Sequence, residues 1–459
     1  MHEKENAVSA TDAIREISHR TGRSATFKLV VICILILLLL IPASMVTSLI
    51  YERQGRKEGV IDEINQKWGE AQTLIGPVIS IPYQDHFRDD RGKVVTVTRY
   101  LHYLPDNVHI ESRITPHVRY RGIYKAVLYN TTLSVNGSFP QAPIDELRLA
   151  PENILWPGAI ISFGITDMRG IKERINATFD GESLAMEPGV ETADVIKSGV
   201  SAGIRLDKAH QSYPFHFNLD LNGSRNISFC PVGKVTTVTA ASKWKDPSFD
   251  GAFLPVERQV GEQGFSAKWK VLHLNRNYPQ YWKGVGHDLS SSAFGVRLFS
   301  PVDIYQKSLR TAKYALMFIV FTFMAFFISE VMNHLRVHPL QYLLIGLAIM
   351  VFYSLLLSIS EQINFGAAFL ISAAAVISLI TGYARAIMKS RSVTIMVGGI
   401  LTILYAYLYI LLQMEDFALL MGSIGLFLVL AIVMYLTRKV DWYAAEPAVL
   451  KASPLKPGA

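Results

Sequence analysis

The sequence predicts an α-helical membrane protein of about six transmembrane helices, with a large β-rich, sandwich-like domain between the first and second spans. Three observations predict it. Half of the 459 residues are hydrophobic and 18% are charged, below the roughly 25% usual in soluble domains. That shortfall sits in one apolar run near the start and in several over the last third. Between them, short pieces of alternating apolar and polar residues are broken by Gly, Pro, Asn and Asp, the pattern of strands and turns.

A bilayer core takes about 20 apolar residues as helix. Residues 29–50 qualify without a single charge, and 314–332 qualify across Glu330. Residues 340–360, 366–383, 393–413 and 417–436 complete the set. The loops orient the spans, because cytoplasmic loops are rich in Lys and Arg. The tail 1–28 carries Lys4, Arg15, Arg20, Arg23 and Lys28. The loop after 332 carries Arg336, the loop 384–392 carries Arg385, Lys389 and Arg391, and the tail 437–459 carries Arg438, Lys439, Lys451 and Lys456. The alternate loops carry Glu361, Glu415 and Asp416 instead. This pattern places both termini in the cytoplasm and residues 51–313 outside. The first run could also be a cleaved signal peptide, with Val46-Thr47-Ser48 as the site. Its length and its long charged tail favour a retained anchor.

The net charge of +7 reads as topology signal, because outside the central segment 51–313 every Lys and Arg falls in a segment assigned to the cytoplasm. No nucleic-acid partner is expected. Cys33 lies in the first apolar run and Cys230 far along the chain, so no disulfide framework is expected. Cys33 reads as an apolar filler and Cys230 as a strand residue.

After the first span, Val60, Ile61, Ile64 and Trp68 recur at helical spacing. The chain is then expected to turn at Gly76-Pro77. Residues 78–83, 94–104, 108–114, 125–135, 215–222, 227–229 and 234–241 read as strands, the first two joined as a hairpin through the turn 89–92. A helix through Ile304, Leu309 and Ala312 is expected to lead into the second span, with Arg310 and Lys313 at the headgroups.

No chemistry-bearing motif stands out. Gly264-Phe265-Ser266-Ala267-Lys268 lacks the second glycine of a nucleophile elbow. There is no phosphate loop, dinucleotide fingerprint or zinc motif. No catalytic residue, cofactor or metal is expected, and the chain is not expected to be an enzyme. Glu330, His334 and His338 would stack on one helix face as a metal site, but Pro339 takes His338 off the helix. A solvated helix end is the preferred reading. His102, His109, His210 and His216 read as half-exposed strand histidines. Asp167, Asp220 and Asp250 would form an acid–base pair only if a cleft united them. Tyr405, Tyr407 and Tyr409 read as packing residues, and Gly366-Ala367-Ala368 with Ser372–Ala375 as a small-residue packing face. Among the spans, Glu361, Glu415 and Asp416 are the functional candidates, placed at hydrated outer helix ends. Trp68, Trp156, Trp244, Trp269 and Trp282 read as core, unless an exposed pair marks glycan or lipid contact.

Several blocks together resemble the CreD family of bacterial inner-membrane proteins. They include Trp68-Gly69-Glu70-Ala71-Gln72 with Gly76-Pro77, Arg119-Tyr120-Arg121-Gly122-Ile123-Tyr124 and Asp167-Met168-Arg169-Gly170-Ile171. Trp244–Gly251, Pro301–Lys307 and His338–Ala348 follow in order, and Phe352-Tyr353 leads to Ser358-Ile359-Ser360-Glu361. Gln362 departs from the histidine expected there. The resemblance implies an inner-membrane protein linked to cell-envelope integrity and stress, colicin tolerance and the β-lactam response. It supplies no catalytic residue, ligand or cofactor. Three functions follow. The preferred one is a non-enzymatic periplasmic binding or scaffold module, with a periplasmic protein, lipid or cell-wall partner. The others are a transporter or lipid-export accessory using the C-terminal bundle, and an enzyme acting on an envelope polymer.

Overall fold

The computed structural model describes residues 25–207, 210–298, 304–333, 337–414 and 417–438. The chain divides into a β unit, Lys57–Val302, and a helical unit, Met1–Arg56 with Asp303–Ala459.

In the β unit two sheets share one core. The first runs β13(Pro247–Gly251)–β17(Phe294–Leu298)–β11(Asn226–Phe229)–β1(Gln72–Arg88)–β5(Ile160–Ile165)–β9(Gly199–Gly203)–β8(Glu187–Pro188). In the same sheet β2(Val94–Tyr103) pairs with β1 and with β16(Tyr281–Lys283). The second runs β14(Glu257–Gly261)–β15(Gly264–Leu272)–β12(Val235–Ser242)–β3(Asn107–Arg121)–β4(Tyr124–Pro140)–β10(Ser212–Ser224)–β6(Asn176–Phe179)–β7(Glu182–Leu184). Outer faces are polar, so β10 and β15 alternate buried and exposed residues. Side chains from both sheets interlock: Phe163 of β5 stacks on Phe217 of β10 at 5.6 Å, and Phe294 of β17 meets Trp269 of β15 at 5.7 Å.

Each of the seven strand segments read from the sequence falls on a strand, with Leu104 and Lys234 one position outside β2 and β12, and the β1–β2 hairpin pairs from Arg88↔Val94 to Ile79↔Tyr103. Gly76-Pro77 is not a turn. It is a bulge inside β1, where the pairing with β5 shifts between Ile75 and Val78. Proline has no N–H for the ladder, and the bulge accommodates it. Cys230 falls just beyond β11, buried at 1% exposure.

The helical stretch after the first span is not separate. One helix, α1, runs unbroken from Ala25 to Trp68. Its polar half is rich in helix-favouring Glu, Gln, Arg and Lys, with ion pairs one turn apart at Glu52–Arg56 and Glu63–Lys67. The remaining helices are α2(Ile304–Lys313), α3(Ala315–Met332), α4(Pro339–Ser360), α5(Phe365–Met388), α6(Arg391–Gln413) and α7(Ala418–Thr437). Among the described residues α1, α4, α5 and α6 are long and apolar enough to cross a membrane. A fifth span results if α2 and α3, bent by 44°, count as one. The apolar described stretch of α7, Leu420–Tyr435, is shorter.

Within this unit Ile32, Leu39, Val46 and Ile50 of α1 are buried, a stripe at near-heptad spacing. Leu39 seats on Gly346 of α4, where an added Cβ would lie 2.1 Å from its side chain. Cys33 is on the exposed side of α1. Tyr405 is packed among Phe318, Phe352 and Phe369.

Candidate functional site

The candidate carboxylates of the helical unit come first. Glu361 caps the C-terminus of α4. Its side chain is only 9% exposed, so it is not the hydrated helix end expected. Tyr305 of α2 donates its hydroxyl to Glu361 Oε1 at 2.9 Å, and Arg53 of α1 stands 3.9 Å from Oε2. Glu415 and Asp416 lie outside the described residues. Glu330 departs further from expectation: it is buried at 3% exposure. Lys28 of α1 pairs with it, Tyr342 of α4 donates to Oε2 at 3.1 Å, and the Val337 amide donates to Oε1 at 3.0 Å. Burying a carboxylate is costly unless it is paired and fully hydrogen-bonded, and this set meets that demand. His338 caps α4, its Nδ1 accepting from the Leu340 amide at 3.2 Å. His334 lies outside the described residues, and among those described no group of His, Cys, Asp and Glu could hold a metal.

In the β unit the sequence blocks around Glu70 and Asp167 meet where α1 ends. Asp167 Oδ1 accepts from Arg169 Nε at 2.9 Å, and Oδ2 accepts from the Glu70 amide at 2.9 Å. Gln72, wholly buried, donates to the carbonyls of Asp167 and Asn222 at 2.9 and 3.1 Å. Gly170 has no room for a Cβ, which would stand 2.4 Å from the Asn222 oxygen. These bonds join the helix end to the sheet. The other two aspartates have their own partners: Thr132 donates to Asp220 at 2.7 Å, and Arg297 pairs with Asp250 at 2.7 Å.

The histidines split. His109 and His216 are strand residues with some exposure, as read. His102 is fully buried in β2, because it pairs across from Ser80 on the core-covered stretch of β1. Ser80 Oγ lies 2.8 Å from His102 Nδ1, and Asp194 Oδ2 lies 3.3 Å from Nε2. A carboxylate only accepts, so Nε2 carries the proton and Nδ1 accepts from Ser80. This is a Ser–His–Asp chain, but Ser80 is 3% exposed. No substrate atom reaches Oγ without opening the sheet, and the set serves to satisfy buried polar groups.

One recess in the β unit brings several carboxylates beside an indole. It lies at the edge where β9 of one sheet and β6–β7 of the other end, and it has a volume of about 910 Å³. Trp156, Asp180, Glu182, Arg205, Asp207 and His210 line it. A smaller recess of about 280 Å³ shares Trp156, Leu206 and Asp207 and adds Asp145 and Glu146. His210 sits in a loop, not a strand, and its Nδ1 is 2.7 Å from Asp180 Oδ2. Tyr213 supports both walls: it stacks flat on Phe179 at 5.5 Å and donates its hydroxyl to the Asp207 carbonyl. Carboxylates beside a half-buried indole suit a ligand carrying amines and hydroxyls on an apolar frame.

Comparison with known proteins agrees with the motif order. A family model described as "Inner membrane protein CreD" matches residues 24–443. The chain belongs to the CreD family. It is 33% identical over 428 residues to the "Inner membrane protein CreD" of Escherichia coli (strain K12), covering 91% of this chain and 94% of that protein. The CreD blocks that made the resemblance visible are, at Glu70 and Asp167, the joints of the fold. The recess of this CreD chain carries no comparable motif. Of the five tryptophans read as core, Trp269 and Trp282 are buried while Trp68, Trp156 and Trp244 are half-exposed, and Trp156 lines the recess.

Proposed function

We propose that this CreD-family protein supports cell-envelope integrity under stress, including colicin and β-lactam challenge, as a non-enzymatic binding module. In this reading both termini are cytoplasmic and the β unit is periplasmic, following the Lys and Arg of the loops. The recess at Trp156, Asp180 and Asp207 takes an amine- and hydroxyl-bearing segment of the cell wall or of a periplasmic protein. The observation that carries the reading is the size and chemistry of that recess, about 910 Å³ and lined by Asp180, Glu182 and Asp207 with the Trp156 indole, alongside Arg205 and His210. A transport reading needs a carboxylate free to bind and release its cargo. Glu330 and Glu361 are each held by a tyrosine hydroxyl and a cation of α1.

In-cell crosslinking tests it. A photo-crosslinker at Ser183, on the recess wall, is expected to capture a wall fragment or one periplasmic protein, and Trp156→Ala with Asp180→Asn to abolish the capture. The same probe at Val260, on the distant edge strand β14, should capture neither. Equal capture from both positions, or full resistance of the double variant to envelope stress, defeats the reading.

A further inference from the structure

The β3–β4 hairpin outgrows its sheet. Its two strands pair as far as Arg121↔Tyr124. The neighbour β12 stops at Ile114 and the neighbour β10 stops at Leu128. The stretch from Val118 to Val127 is therefore a two-stranded arm, a form that is marginal alone. The end of α1 supports one face of it. Trp68 Nε1 donates to the Tyr129 carbonyl at 3.2 Å, Arg119 lies over the Trp68 ring at 5.6 Å, and Arg121 pairs with Glu63. The order of these contacts fixes the direction of the arm. Tyr129 meets Trp68 while Arg121 meets Glu63, so the turn points along the helix toward Lys57.

The end of the arm is apolar and aromatic where a soluble loop would be polar. Tyr120 is 70% exposed, and Val118 and Ile123 are exposed as well. Arg119, Arg121 and Lys125 lie beside them, all exposed, with Arg119 and Arg121 on the side that meets α1. Tyrosine and aliphatic side chains beside long basic ones match a headgroup layer, where the rings enter and the basic stems extend to phosphates. Each Lys or Arg brought near an anionic surface strengthens the attraction.

We propose that the tip of this arm, Val118 to Lys125, docks on the surface of an anionic phospholipid bilayer, with Tyr120 and Ile123 inserted among the headgroups and Lys125 on their phosphates. The site is separate from the recess, and either reading can fail without the other.

The test uses the full chain in lipid nanodiscs, in a Cys33→Ala background with the buried Cys230 left in place. An environment-sensitive fluorophore is attached at Ile123→Cys, and at Val260→Cys as a reference. Quenching by headgroup-labelled lipid is expected at position 123, several-fold stronger in discs with phosphatidylglycerol than in purely zwitterionic discs. It should weaken with added salt. Lys125→Glu should lower it to the zwitterionic level, and position 260 should stay unquenched throughout. An unquenched probe at 123 in anionic discs overturns the proposal, as does quenching that ignores lipid charge. Shielding at 123 that occurs in native membranes but not in lipid-only discs overturns it in favour of a protein partner.

Discussion

Asp167 shows how far a residue's role depends on partners the sequence cannot point to. Burial raises its carboxyl pKa, but the Arg169 guanidinium and the amides of Glu70 and Arg169 outweigh this and hold it below its ordinary 3.8. One of those amides is 97 positions away in the chain. A lone Asp in a sequence block gives no sign of it, so an acid–base role stayed open until the contacts were seen. Because the folded pKa is depressed, the contribution is complete above about pH 4 and lost as pH falls through the folded value. Asp167→Ala should therefore cost about 1.5–3 kcal/mol near neutrality, with little difference left near pH 2, measured by thermal unfolding of the β unit in the full chain. His102 gives the complementary case. Burial pushes its pKa below the ordinary 6.5, with Asp194 opposing. The unfolded chain binds the proton more readily, so stability is full above about pH 6.5 and falls on acidification toward the folded value. The slope is at most about 1.4 kcal/mol per pH unit. His102→Gln should flatten it between roughly pH 6.5 and 5, and an unchanged slope would assign the effect to other groups.

Among the elements, α1 was legible in type and misread in extent and in attachment. Its apolar half satisfies the length rule at sight, and its polar half shows helical spacing. The sequence does not reveal that no break separates them. Nor does it show that a charged residue near each end of the apolar half is held by the bundle. Lys28 engages Glu330, and Arg53 stands beside Glu361. Between them Leu39 fills the space over Gly346. Glu330 looked like a solvated helix end because sequence gives the side chain and not what faces it. If α1 is a built-in member of the bundle, Glu330→Ala leaves Lys28 and the Tyr342 hydroxyl without their acceptor, at a cost of about 3–5 kcal/mol for a buried pair. Gly346→Leu collides with Leu39 and should act in the same direction. Both should lower the thermal midpoint of the purified protein in detergent. Mass spectrometry of that protein should find the residues before Ser48 still attached. A wild-type midpoint in both variants, or a start after Ser48, would mean that α1 is dispensable to the helical unit.

At the scale of the whole molecule, strands could be found by alternation, while their order could not. Alternation reports which face of a strand is buried, and says nothing about which strand lies beside it. Here the order is strongly non-local. β1 pairs in parallel with β11 through Gln72↔Ile227, and β3 pairs in parallel with β12 through Asn107↔Val235. Of the unread strands β13 to β17, all but the nine-residue β15 are five residues or shorter, yet the last of them occupies an interior place. β17 lies between β13 and β11, and its Phe294 is fully buried against Trp269, Phe229 and Phe253. The β unit is therefore completed by the strand synthesised last, in a fold whose pairings reach about 180 positions apart, as at Tyr103↔Tyr281, an arrangement that slows folding. Removing Phe294–Leu298 strips hydrogen bonds from two strands at once and opens the aromatic core, while Val235–Thr239 and their β3 partners keep every pairing. A chain truncated before Phe294 should lose protease resistance across the whole β unit, although β17 is only five residues long. The comparison is a truncation before Pro247, which also removes β13–β16. If β17 closes a cooperative core, the two truncations should be equally protease-sensitive. A graded loss, with the longer chain still largely resistant, would show that the two sheets hold together without their final strand.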